Sequence, residues 1–231
     1  VMGKALSVRL LLASSVLMGL LLSGVARADF QPFVQGAPVA GKVGAAETAV
    51  REKLEGEGFD VVGGYAPTEG VRILAVSSEA LREVASRSKR GGYGAVVSVA
   101  LEQVEGETLV SYQNPKYLAH GYRLEGESEP AFQSLAAALG AKGYFGGEPI
   151  SMANLRTYQY AFGLETFVDP VELGRFASFS AADRQITERV EAGELGTSLV
   201  YRVEIPGKKQ IVYGVAMQTD DPNAHGAALV Q

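Results

Sequence analysis

From residue 45 onward the chain alternates between two apolar rhythms, one with helical spacing and one that repeats every second residue, and glycine or proline closes each run. Short helical stripes stand beside paired β-prone runs that turn-rich segments join. They predict antiparallel β-hairpins packed on helices, an α+β fold. Residues 45–57 carry Ala46, Ala49, Val50 and Leu54 on one helical face, with Gly58 placed as a terminator. The runs 60–65 and 71–77 flank Pro67-Thr68-Glu69-Gly70 and predict a first hairpin; 95–101 and 108–112, around Glu105-Gly106, predict a second. Ser78 is placed to cap a helix carrying Ala80, Leu81, Val84 and Ala85, which Gly91-Gly92 stops.

Further helices are expected where Asn114-Pro115, Ser151 and Asp169-Pro170 supply start signals, and from Pro130 to Gly140. Ser180 with Asp183 resembles a capping box for a helix carrying Ile186 and Val190 and closed by Gly193. Strands follow at 198–205 and 210–217 around Pro206-Gly207. Residues 29–44, with Pro32 and Pro38, read as an extended and poorly ordered lead-in, and 125–180 as a helical, aromatic-rich connector.

Ahead of this body, Lys4 and Arg9 precede an apolar stretch from Leu10 to Leu22, followed by Ser23-Gly24 and Ala26-Arg27-Ala28. That order predicts a signal peptide over residues 1–28 with cleavage after Ala28, since the apolar core is too short for a membrane span. Three of the 21 basic residues fall in it, leaving 18 against 26 acidic residues, a net charge of -8. Intermixed charge of that sign offers no footprint for nucleic acid. The chain has no cysteine, so disulfides, thiol nucleophiles, thiolate metal sites and a lipidated cysteine are all excluded. A cysteine-free exported chain is expected in the periplasm, with secretion to the medium as the alternative and no membrane anchor after cleavage.

Two stretches share one grammar of helix, glycine, strand, turn and second strand: EKLEGEGFDVVGGYAPTEGVRILAVSS in the first and ERVEAGELGTSLVYRVEIPGKKQIVYGVAMQ in the second. They read either as two related modules, 45–124 and an incomplete 181–231, or as two generic helix-hairpin units. An incomplete second module would bury its open face on the first or on another subunit. In the first, Leu54, Gly58-Phe59, the run Ile73-Leu74-Ala75-Val76, Leu81, the strands near 95–101 and 109–112, and Asn114-Pro115 carry a resemblance. Over residues 45–120 the chain resembles the domain of unknown function 302 family. The resemblance implies a small α+β domain that commonly self-associates, with no established catalytic role, so a homo-oligomer is expected. The cysteine that many members carry has no counterpart here.

Catalytic signatures are sparse. Only His120 and His225 are available as imidazoles. His120 could join Glu125 and Glu127 on a metal, but HxxxH and HExxH spacings are missing, so no metal or other cofactor is expected. No GxSxG elbow, GxGxxG or Walker loop occurs, and the acidic residues are too many for one pair to stand out. Arg87, Lys89 and Arg90 complement the dipole at a helix C-terminus, the sharper alternative being a phosphate or lipid-headgroup site. Tyrosines stand out most. Tyr112, Tyr117 and Tyr122 lie around Asn114 and His120, and Tyr158 and Tyr160 alternate with Phe162 on what would be one face of a strand. Together they are candidate walls for a small apolar or aromatic ligand, against ordinary core packing. The reading is a non-enzymatic exported module that binds a small ligand or a protein. The alternatives are an enzyme using Tyr117, His120 and a carboxylate within residues 112–127, and a structural subunit of an envelope assembly.

Overall fold

The computed structural model describes residues 29–159, 161–217 and 226–230. It is α+β with antiparallel sheets throughout. The first helix, α1 (Val43–Gly56), buries Ala46, Val50 and Leu54, one residue per turn, and Gly58 follows at φ 81°. The hairpin β4 (Phe59–Tyr65) and β5 (Val71–Ser78) forms as expected. So does the hairpin β6 (Val97–Val104) and β7 (Glu107–Gln113), whose Glu105-Gly106 turn is left-handed at both residues, the geometry that matches the twist of paired strands.

These strands run in order from one edge of a seven-stranded sheet, β4 at the edge and then β5, β6 and β7. Alternation sends Leu74, Val76, Val97, Val99, Leu101, Val110 and Tyr112 to one face, where α1 and α4 (Glu129–Leu139) cover them with Val50, Leu54, Phe132 and Leu135. On the other face lies a smaller sheet of β10 (Thr197–Glu204), β11 (Ile211–Met217) and β12 (Gly226–Val230). Its residues Tyr201, Val203, Ile205 and Val212 share a core with Ala75, Ala85, Ala95 and Val96. The two sheets approach so closely at Gly63 that a Cβ there would lie 1.9 Å from the Val200 carbonyl oxygen.

Three expectations are corrected. Residues 29–44 are not a loose lead-in: β1 (Asp29–Phe30) pairs with β9 (Ile150–Ser151), and β2 (Phe33–Gln35) lies between β7 and β8 (Gly143–Phe145). β3 (Val39–Ala40) continues along β7, and Val34 is fully buried. Runs this short show no period, and their partners lie far along the chain. Residues 125–180 do more than connect, because α4 adds Phe132, Leu135 and Leu139 to the main core and β8 forms an edge of the sheet. Asp169-Pro170 begins no helix: the Asp169 carboxylate accepts from the Thr166 amide and hydroxyl, each at 2.8 Å, closing the turn behind it instead of capping forward.

Caps account for the remaining helices. Ser78 accepts from the Leu81 amide to begin α2 (Glu79–Arg87), Asn114 from Lys116 to begin α3 (Pro115–Gly121), and Ser151 from Asn154 to begin α5 (Met152–Arg156). The cap of α6 (Phe179–Glu191) is Ser178, which accepts from the Ala181 amide at 3.1 Å; Ser180 does not cap it. Ile186 and Val190 of α6 pack on Ile211, Tyr213 and Val215, so the helix lies against the small sheet. Among the described residues no helix is long and apolar enough to cross a membrane. The expected leader over 1–28 lies outside the described residues.

Candidate functional site

The C-terminus of α2 and the turn between β10 and β11 meet over an open groove of about 540 Å³. Local chemistry fixes the helix end. The Ser88 hydroxyl donates to the Val84 carbonyl at 3.1 Å and accepts from the Glu125 amide at 2.6 Å, so the chain leaving α2 is pinned on two sides. Lys89 and Arg90 follow into the groove, and a Gly91–Gly94 3-10 turn then presents Tyr93. From the other side Gly207, at φ 70°, turns the chain so that Lys208 and Lys209 enter the same space. Lys208 donates to the Ser88 carbonyl, and Arg90 to the Val168 carbonyl at 2.7 Å. Lys89 and Lys209 are exposed and form no ion pair with a described residue.

Four aromatic residues, Tyr93, Phe176, Phe179 and Tyr213, line the groove together with Ile186 and Ile211. The groove's carboxylate, Asp183, is committed elsewhere. Arg202 donates to both of its oxygens at 2.9 and 2.8 Å, and the Tyr213 hydroxyl donates to it as well. Hydrogen bonds from Arg202, then from Tyr213, hold Asp183 below the usual carboxylate range, while the same pair raises Arg202. Desolvation, followed by the hydrogen bond to Asp183, raises the Tyr213 phenol.

Tyr93 is also a wall of a second space, an inter-sheet cavity of about 160 Å³ lined by Tyr65, Ser98, Gln113, Tyr122 and Tyr201. Tyr93 and Tyr122 stack at 5.3 Å between centroids. Burial, then proximity to Tyr93, raises the Tyr122 phenol; burial, then proximity to Tyr122, raises Tyr201. Gln113 is held by the Ser98 amide, which donates to its Oε1 at 2.9 Å.

The residues singled out by sequence separate into three groups. Tyr117, Tyr122 and Tyr158 come together around Phe167, at 6.2, 5.8 and 6.1 Å between ring centroids. Tyr112 and Asn114 are structural instead. Tyr112 is buried on the helix-covered face with its hydroxyl donating to the Gly140 carbonyl at 3.0 Å. Asn114 is buried, caps α3, and donates through Nδ2 to the Gln31 carbonyl at 3.1 Å. His120 stands apart against Phe30 at 4.8 Å, its imidazole lowered by burial and then by Arg156. Tyr160 and His225 lie outside the described residues.

Tyr158 and Phe162 do not share the face of a strand. Tyr158 follows the turn that ends α5, Gln159 makes a single bridge to Thr166, and Phe162 projects fully into solvent. Among the described residues no group of three or more histidines and carboxylates is arranged to hold a metal ion. Sequence reasoning missed Tyr93, Lys208, Lys209 and Tyr213. The signal for the lysines was the pair itself, placed just after a Pro-Gly turn, where side chains flank a loop mouth.

Comparison with family models, curated proteins and solved structures finds no match to this chain.

Proposed function

We propose that this chain is an exported, non-enzymatic binding protein, resident in the periplasm, that takes a small ligand with an apolar or aromatic body in the groove between α2, α6 and the β10–β11 turn. One observation carries the reading: an open groove of about 540 Å³ with Tyr93, Phe176, Phe179 and Tyr213 among its lining residues. Small-molecule sites occupy roughly 300–1,000 Å³ and combine such apolar walls with a few polar groups. Asp183 is neutralised by Arg202 and fixed by Tyr213, which favours holding a ligand over transferring its protons. Export rests on the basic, apolar and small-residue order of residues 1–28.

A second reading, assembly with another copy of the chain, accords with the resemblance over residues 45–120. It is favoured by Phe162, Val171 and Leu173, whose relative exposures are 104%, 74% and 78%. Native mass spectrometry of residues 29–231, purified gently from a periplasmic extract, separates the two. A defined extra mass on each subunit is expected for the binding protein, and a bare oligomer for the assembly. A bare monomer that also fails to bind added aromatic probes would overturn both.

A further inference from the structure

We propose that the groove's ligand is an organic anion: an apolar or aromatic body bearing a carboxylate, phosphate or sulfate group, which Lys89 and Lys209 receive. This inference rests on the binding reading above and specifies its chemistry. A dipole at the C-terminus of α2 accounts for basic residues on that helix end. It does not account for Lys208 and Lys209, which arrive from the turn between β10 and β11 and converge on the same space. Four cations meet there in a chain whose formal net charge is -5, and the groove's own acid is spent on Arg202.

The cations divide the work. Arg90 and Lys208 are anchored by carbonyls of Val168 and Ser88; an arginine has five N–H donors and an ammonium three, so neither is exhausted by its one carbonyl. Lys89 and Lys209 have no charged partner among the described residues, which leaves a field without a counter-charge in a concave surface.

Two probes that differ chiefly in a single charge test this. The fluorescent dye 8-anilinonaphthalene-1-sulfonate carries a sulfonate that the neutral N-phenyl-1-naphthylamine lacks. Titrated into residues 29–231 at low salt, the sulfonate dye is expected to bind at least about tenfold more tightly. The double variant Lys89→Ala/Lys209→Ala should weaken it on the order of tenfold, as two screened surface pairs would. The neutral dye should change less than about twofold, and added salt should weaken only the charged dye. Both lysines are exposed, so the variant should fold, as unchanged circular dichroism would verify.

Equal affinity for the two dyes, or an unchanged constant for the sulfonate dye in the double variant, overturns the anion inference and leaves the binding reading standing. Failure to bind either dye overturns the binding reading itself. A further arm assigns the source of the anion. If phosphatidylglycerol vesicles pellet the wild type but not the double variant, the anion is a lipid headgroup; if they pellet neither while the dye binds, it belongs to a free organic acid.

Discussion

Replacing Gly63 with alanine tests whether the small sheet truly packs on the large one. The added Cβ would stand 1.9 Å from the Val200 carbonyl oxygen, 2.8 Å from its carbon and 3.2 Å from the Tyr201 Cβ. Real Cβ contacts do not fall below 3.0 Å, so β10 must retreat by roughly 1 Å, a gap that forfeits a quarter to a half of each dispersion contact it opens. The obstacle is backbone and has no rotamer to change. The cost should therefore reach about 3 kcal/mol, the upper end for overpacking, and lower the melting temperature by about 6–12 °C for a chain of this size. With no tryptophan and ten tyrosines in the chain, thermal melts would follow far-UV circular dichroism and tyrosine fluorescence. Alkaline titration supplies a second readout. Tyr201, whose phenol is raised by burial, should ionise closer to pH 10 once the sheets part. Gly44→Ala is the control, since nothing lies within 4 Å of its Cβ and it sits in α1; it should stabilise by up to about 1 kcal/mol. A Gly63→Ala protein that melts with the wild type would refute the inter-sheet contact.

Other outcomes follow from single groups. Tyr112→Phe loses the hydrogen bond to Gly140 and should cost about 1 kcal/mol in chemical denaturation, with dye binding unchanged because the ring lies on the far face of the sheet. Asn114→Ala removes the cap of α3 and the tie to Gln31, costing about 1–2 kcal/mol, again read in denaturant. Asp183 has a lowered folded pKa, so its stabilisation is complete above the ordinary value of 3.8 and is lost as pH falls through the folded value. Asp183→Asn should remove about 1 kcal/mol at neutral pH after allowance for solvent screening and flatten that part of the acid limb. His120 has its folded pKa lowered below 6.5, so the unfolded chain takes up the proton first and stability falls as pH drops below 6.5 towards the folded value. An NMR titration placing the His120 midpoint at or above 6.5 would contradict that environment.

Most of the scaffold could be read from local rules, because its decisions are local. Apolar stripes placed α1, α2 and α4, alternation placed β4 to β7, and Asn114-Pro115 placed α3 within a residue. What escaped depends on distant partners. β2 is three residues long and owes its existence to β7 and β8. Asp169 had two carboxylate uses open to it, and the backward one to Thr166 won. The site was half legible for the same reason. Lys89 and Arg90 were visible as a charge run, but their meaning changes once Lys208 and Lys209, over a hundred residues later, share the groove. The tyrosine set was recognised by residue type, which does not tell Tyr112, spent on the Gly140 carbonyl, from Tyr122, which walls a cavity.

The weaving of β2 into the large sheet sets an order of events during synthesis. Asn114 holds the Gln31 carbonyl, and Gln31 donates to the Gly147 carbonyl across 116 residues. A chain made from its N-terminus thus presents this strand early and gives it both neighbours only when residue 145 has emerged. Until then β2 can pair with β7 alone and its other edge stays open, and such long-range closure is slow. Residues 29–35 act as a clasp whose second half closes only after most of the large sheet has been made, tying the first strands to the middle of the chain.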